Sequence, residues 1–270
     1  MQFIAKLDTA VKKNSSLLCV GLDPDPVQMP AGIDISGFNK AIIDATADLV
    51  CAYKPNLAFY EAVGTEGWSI LRQTLDYIPG DIPVIADAKR GDIGNTAKAY
   101  AKAIFDELGF DAVTVNPYLG RDALEPFFNY KDRGVFILCR TSNAGAADFQ
   151  NLKISLGGED VPLYQVVAQK AQAWNKHGNI GLVVGATYPE ELRTIRQSCP
   201  AMPLLIPGIG AQGGDLGLAV QYGVNAEGAG IIINSSRQVI YASKGKDFAL
   251  VARKAAQSLR DEINIYRLKA

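Results

Sequence analysis

The chain is predicted to fold as an α/β protein, a (β/α)8 TIM barrel forming a single domain over residues 1–270. Two patterns and one length predict it. Short apolar runs alternate with segments of helical spacing along the chain, as parallel βα units do. The runs are nearly continuous in Val, Ile, Leu and Ala, which is expected of strands covered on both faces. Eight such units fit the 270 residues available, where barrels of this kind typically take about 250.

The strand runs are 17–23, 52–56, 83–89, 112–116, 135–141, 180–186, 204–207 and 230–234. Helical spacing occupies 36–50, 95–108, 163–176 and 190–199, and a last helix covers 247–266. The first run ends Val20-Gly21-Leu22-Asp23-Pro24. That does not match the G-x-G-x-x-G which follows the first strand of a doubly wound nucleotide-binding sheet. Residues 141–162 form the one long irregular stretch, carrying Gly145, Asp148, Gly157, Gly158, Glu159 and Asp160. A loop of that length reads as a lid or binding loop, with a mobile surface insertion as the alternative.

Composition removes several classes of function. No apolar stretch reaches 18 residues, so no transmembrane helix is expected. Met1-Gln2-Phe3-Ile4-Ala5-Lys6 lacks the apolar core of a signal peptide. The expectation is a cytoplasmic protein with no membrane partner. A net charge of −1 and the absence of a basic cluster argue against a nucleic-acid partner. Cys19, Cys51, Cys139 and Cys199 form no C-x-x-C pair, and Cys19 and Cys139 sit in apolar runs as core residues would. His177 is the only histidine and falls at a predicted helix C-terminus. A Ser-His-Asp triad or a multi-histidine metal site would have to use it, so both are disfavoured.

The chemistry concentrates at Asp87-Ala88-Lys89-Arg90-Gly91-Asp92, at the end of the third strand. Residues two apart share a face of a strand, so Asp87 and Lys89 should point the same way. Asp92 lies on the turn that follows. Polar residues also end other strands: Asp23, Lys54, Ser142 and Arg237. Each could be a salt bridge or cap, but in a barrel these ends converge on one mouth, where active sites lie. Pro207-Gly208-Ile209-Gly210-Ala211-Gln212-Gly213-Gly214-Asp215 follows the seventh strand. It is a tight turn or a phosphate cradle, and Arg237 after the eighth strand favours the cradle. Two carboxylates beside Lys54 and Lys89 would hold Lys89 protonated. A protonated lysine is an acid rather than a Schiff-base nucleophile, which disfavours an aldolase. It suits loss of a carboxylate followed by protonation of the carbanion.

At these residues the chain resembles the orotidine 5′-monophosphate decarboxylase family, over nearly its whole length. Asp87–Asp92 matches the family's D-x-K-x-x-D motif, and Gly21–Asp23, Lys54, Thr141-Ser142, the glycine-rich run and Arg237 follow in order. The segments around Lys54-Pro55-Asn56 and Asp87–Thr96 look most like a longer bacterial branch. Ser236 departs from the glycine that many relatives carry before the arginine.

The resemblance implies conversion of orotidine 5′-monophosphate to UMP in pyrimidine biosynthesis, without metal or organic cofactor. It makes Lys89 the proton donor to C6, with Asp87, Asp92 and Lys54 completing the catalytic array. Asp23 and Lys54 would hold ribose hydroxyls, Ser142 the pyrimidine, and Gln212 and Arg237 the phosphate. Asp92 and Thr96 would enter the partner's site, making a homodimer with shared sites. Two other readings stand beside it: a magnesium-dependent decarboxylase of a β-keto sugar phosphate, which shares the motif, and a non-catalytic nucleotide-binding barrel.

Overall fold

The computed structural model describes residues 2–210 and 213–268. Eight parallel strands form one sheet: β1 Leu18–Leu22, β2 Ala52–Pro55, β3 Ile85–Arg90, β4 Ala112–Val115, β5 Gly134–Arg140, β6 Ile180–Val184, β7 Leu204–Ile206 and β8 Ile231–Ser235. Their order is β2, β1, β8, β7, β6, β5, β4, β3. Parallel bridges Tyr53–Val84 and Asn56–Asp87 join β2 to β3 and complete the barrel. Every strand lies within two residues of its predicted bounds at each end.

The helices follow the predicted spacing with specific differences. Ile35–Thr46 starts where the Asp34 carboxylate accepts the Gly37 N–H at 2.6 Å. The predicted helix 95–108 is in two parts, an α-helix over Gly94–Lys102 and a π-helical turn over Ala103–Glu107. Leu163–Trp174, Pro189–Ser198 and Phe248–Arg267 sit close to expectation. His177 lies three residues past the end of Leu163–Trp174, exposed in the turn before β6.

The stretch 141–162 is not irregular. It holds a 3-10 turn at Ala144–Ala146, a short helix at Ala147–Gln150 and an antiparallel hairpin of Lys153–Leu156 with Glu159–Pro162. Gly157 and Gly158 make the two-residue turn, with φ of 62° and 91°. Such turns need positive φ at both positions, which glycine supplies without steric cost. Strands of four residues are too short for alternation to stand out from a loop.

Strand alternation sorts the core into two layers. Leu18, Val20, Leu22, Val113, Val135, Ile137, Leu182, Leu204, Ile206, Ile231 and Ile233 face outward into the large cluster beneath the helices. Cys19, Ala52, Ile85, Ala112, Phe136, Val183, Leu205 and Ile232 fill the barrel interior. Phe3 and Leu7 join this inner cluster from a helix absent from the sequence reading, Phe3–Asn14. Phe3 meets Phe136 edge-on at 5.8 Å, and Lys6 pairs with Asp111 at 2.7 Å. The helix therefore seals the N-terminal end of the barrel.

Arg196 ties the same end together. Its buried guanidinium donates to the carbonyls of Cys199, Pro200, Met202, Gly223 and Gly230 at 2.6–3.1 Å. Burial pulls its pKa down to about 10, so it stays charged at neutral pH. The apolar seal and this staple leave the opposite end free to carry polar groups. Phe3→Ala should lower the unfolding free energy in urea by about 3 kcal/mol, the usual cost of emptying a buried aromatic site. A change below about 1 kcal/mol would show that the helix is not a seal.

Candidate active site

The site is the next inward layer. Two residues beyond the interior side chains, toward the strand C-termini, Ala52 gives way to Lys54, Ile85 to Asp87, Ala112 to Thr114 and Ile232 to Asn234. All four polar residues line a cavity of about 580 Å³. Leu138, Val183 and Leu205 keep part of its floor apolar. Alternation along each strand, apolar below and polar above, thus builds the mouth from the register of the core.

Its centre is an ion array on the β2–β3 seam. Lys54 Nζ donates to Asp87 Oδ2 at 2.7 Å, and Lys89 Nζ donates to Asp87 Oδ1 at 2.5 Å. The Lys54 side chain is 4% exposed and that of Lys89 is 50% exposed, so one cation is buried and the other faces the cavity. Burial alone would lower the Lys54 pKa, but the carboxylates of Asp87 and Asp23 more than reverse it and hold it above its ordinary value. Burial likewise pushes Asp87 up, and the two lysines hold it well below the usual carboxylate range. Both groups are charged at neutral pH. Cys19 lies in the interior nearby, and burial pushes its thiol up to about 12, so it supplies no thiolate.

Asp87 and Lys89 meet as expected, but not on a straight strand. The β3–β4 register shifts between Ala86 and Arg90, and Lys89 has a left-handed φ of 45°. Thr114 on β4 accepts the backbone N–H groups of Ala88 and Lys89, each at 3.0 Å. Arg90 turns away from the cavity to pair with Glu61 at 2.5 Å.

Asp23, Ser142 and Arg237 also line the cavity. Tyr241 fixes the end of β1 by donating to the Asp23 carbonyl at 2.8 Å and accepting from the Asp25 N–H at 2.5 Å. Asp23 Oδ1 and Asn234 Oδ1 are buried acceptors with no hydrogen-bond partner among the described residues. Gly208 and Ile209, from the glycine-rich run, face the same space as Arg237. Among the described residues no carboxylate forms a salt bridge with Arg237. Gln212 lies outside the described residues.

The family's sequence profile, described as orotidine 5′-phosphate decarboxylase / HUMPS, matches residues 16–250. The chain belongs to this family. Orotidine 5′-phosphate decarboxylase from Dehalococcoides mccartyi (strain CBDB1) is 58% identical over 267 residues, covering 99% of both chains. The protein of that name from Ralstonia nicotianae is 52% identical over 277 residues, covering 99% of this chain and 100% of its own. Among solved structures, Leishmania donovani OMP decarboxylase superposes with a TM-score of 0.88 at 42% identity, covering 99% of this chain and 100% of that one.

Two residues of the family motif region stand outside the cavity. Asp92 is half-buried on the turn after β3, where its Oδ1 accepts the Ile93 N–H at 2.8 Å. Thr96 is exposed on the first turn of Gly94–Lys102. Neither lines the cavity of a single chain. Ser236 is accommodated because Gly21 faces it across β1 and β8. A Cβ on Gly21 would come within 1.8 Å of Ser236 Oγ, a contact no side chain could make.

Sequence reading singled out Asn56 without giving it a role and missed Thr114, Asn234 and Gln150, all on the cavity. Thr114 and Asn234 could have been found by stepping along the inward register. Gln150 has no such signal. It reaches back across the loop, accepting from the Thr141 N–H at 2.8 Å and donating to the Thr141 hydroxyl at 2.8 Å. Beneath it Arg140 is fully buried, donates to Gln150 Oε1 at 3.3 Å and stacks 3.5 Å from the Tyr188 ring.

The array makes a signed prediction about pH. Asp87 has a depressed folded pKa, so its contribution to stability is present above the unfolded value of about 3.9 and is lost as pH falls toward the folded value. Lys54 has a raised folded pKa, so its contribution is complete below about 10.4 and is lost only above that. Thermal melts of wild type and Asp87→Asn from pH 3 to 9 should differ by a constant amount above about pH 5, with the gap narrowing below about pH 4. A gap that narrowed between pH 5 and 7 would contradict this assignment.

Proposed function

We propose that the chain decarboxylates orotidine 5′-monophosphate to UMP, in pyrimidine biosynthesis. The observation that carries the reading is the Lys54–Asp87–Lys89 array beside an apolar floor in the cavity of a family member. The C6–carboxylate bond breaks, CO2 leaves, and its electron pair stays on C6. That pair lies in the plane of the ring and is poorly delocalised, so placed charge must stabilise it. The Lys89 ammonium supplies the charge, then gives its proton to C6 and recovers one from solvent. Asp87 stands next to the departing carboxylate and orients both lysines. The reading needs no metal or organic cofactor.

Arg237 and the glycine-rich run, with Gln212, would hold the phosphate. The Asp23 carboxylate, whose Oδ1 has no hydrogen-bond partner among the described residues, would with Lys54 receive ribose hydroxyls, and Ser142 would contact the pyrimidine. Binding energy from the remote phosphate can offset the cost of assembling the charges around the ring. The four buried cysteines are unbridged, which supports a reducing, cytoplasmic setting.

The decisive assay follows loss of orotidylate absorbance with and without EDTA. Equal rates in both are expected. Loss of activity in chelator would favour the metal-dependent sugar-phosphate reading, and UMP binding without turnover would favour a non-catalytic barrel.

The reading includes a homodimer in which Asp92 and Thr96 complete the partner's site. Their position outside the single-chain cavity supports it, as do the exposed Ile93, Tyr118 and Leu119 on the loops after β3 and β4, at 61%, 83% and 47% exposure. Inactive Lys89→Ala subunits mixed with inactive Asp92→Asn subunits should recover roughly a quarter of wild-type sites after exchange. Half of the dimers are then mixed, and two-fold symmetry gives each one whole site. Confirmed exchange with no recovery would place Asp92 in its own chain's site.

A further inference from the structure

Lys89 is one of only two non-glycine residues with positive φ among the described residues, the other being Ser15 at a helix C-terminus. Such a conformation costs energy for a lysine and persists only where its surroundings impose it. Here one side chain bonds both backbone N–H groups of the turn. Thr114, 2% exposed, accepts the N–H groups of Ala88 and Lys89 with the same oxygen, both at 3.0 Å, across the shifted β3–β4 register. Its own proton has two acceptors in reach, Asp87 Oδ1 at 3.2 Å, the oxygen that also receives Lys89 Nζ, and the Ala86 carbonyl at 3.5 Å. One hydroxyl therefore touches the backbone of the lysine and the carboxylate that orients its ammonium.

We propose that Thr114 is a positioning residue for the decarboxylation, holding the left-handed turn of β3 that aims Lys89 at the reacting carbon. The inference rests on Lys89 being the proton donor. Thr114 sets where that ammonium stands; it need not bind the nucleotide. Replacing the hydroxyl with a methyl of similar size removes the acceptor for both N–H groups and the donor to Asp87, while keeping the volume of the floor. The lysine backbone then relaxes and the ammonium moves, and a displacement of about 1 Å at a reacting group can cost about 100-fold in rate.

The test compares Thr114→Val and Thr114→Ser with wild type by kcat, KM for orotidine 5′-monophosphate, and Kd for UMP. Thr114→Val should lose about 100-fold in kcat with UMP affinity within about threefold, a difference of under 1 kcal/mol in binding. Thr114→Ser, which keeps the oxygen, should restore kcat to within about tenfold of wild type. Unchanged kcat in Thr114→Val overturns the proposal, as does a parallel loss of kcat and UMP affinity, which would mark general damage to the floor. Should Thr114→Val not fold, Thr114→Ala replaces it in the same comparison, and equal kcat for the alanine and serine variants overturns the proposal. Lys89→Ala is the control for the underlying reading. Retained turnover there removes Lys89 as donor, whereas a dead Lys89→Ala beside an active Thr114→Val removes only the role of Thr114.

Discussion

A lysine ammonium buried in a barrel has to be matched by negative charge, and the contact of Lys54 with Asp87 at 2.7 Å meets that demand. Moving either ion out of water costs several kcal/mol, which is recovered only when the partner is close and well oriented. The bridge from Asn56 to Asp87 across the β2–β3 seam brings the two strand ends into that register. Once Asp87 is committed to Lys54 through one oxygen, its other oxygen is left to receive Lys89. The three side chains carry a net single positive charge, and the Asp23 carboxylate on the same cavity acts on Lys54 as well.

Much of this is legible in the sequence. The eight strand runs were visible because both faces of each strand are buried, which leaves long stretches of Val, Ile, Leu and Ala with little polar interruption. Polar residues at the ends of those runs marked the mouth, because active sites of such barrels lie at the C-terminal ends of the strands. Asp23, Lys54, Asp87, Lys89, Ser142 and Arg237 were found this way, and the structure brings all six to one cavity. Asp92 and Thr96 belong to the motif region but do not line the cavity of a single chain.

What was not legible depends on contacts far apart in sequence or on local backbone geometry. Strand period placed Lys89 beside Asp87, but period alone cannot express the register shift or the positive φ through which they meet. The role of Thr114 depends on which strand pairs with β3. Its hydroxyl looks in sequence like a stray polar residue in Ala112–Val115. Arg140 and Gln150 join β5 to its own loop through a fold of the chain that no periodicity records. Phe3–Asn14 carries a helical repeat only in its apolar residues at 3, 7 and 10, too few to stand out in sequence.

That helix ties the beginning of the described chain to its middle. Phe3 packs on Phe136, and Lys6 reaches Asp111, 105 residues further on. At a synthesis rate of roughly 5–20 residues per second, Phe136 is made on the order of ten seconds after Phe3. Throughout that interval the seal has no barrel to close, and its apolar face is open to water, to the tunnel exit and to any chaperone waiting there. The helix is translated before every strand it covers and can dock only after most of them exist. Vectorial synthesis therefore leaves the bottom of the barrel open until late, and the nascent chain carries its own stopper in advance.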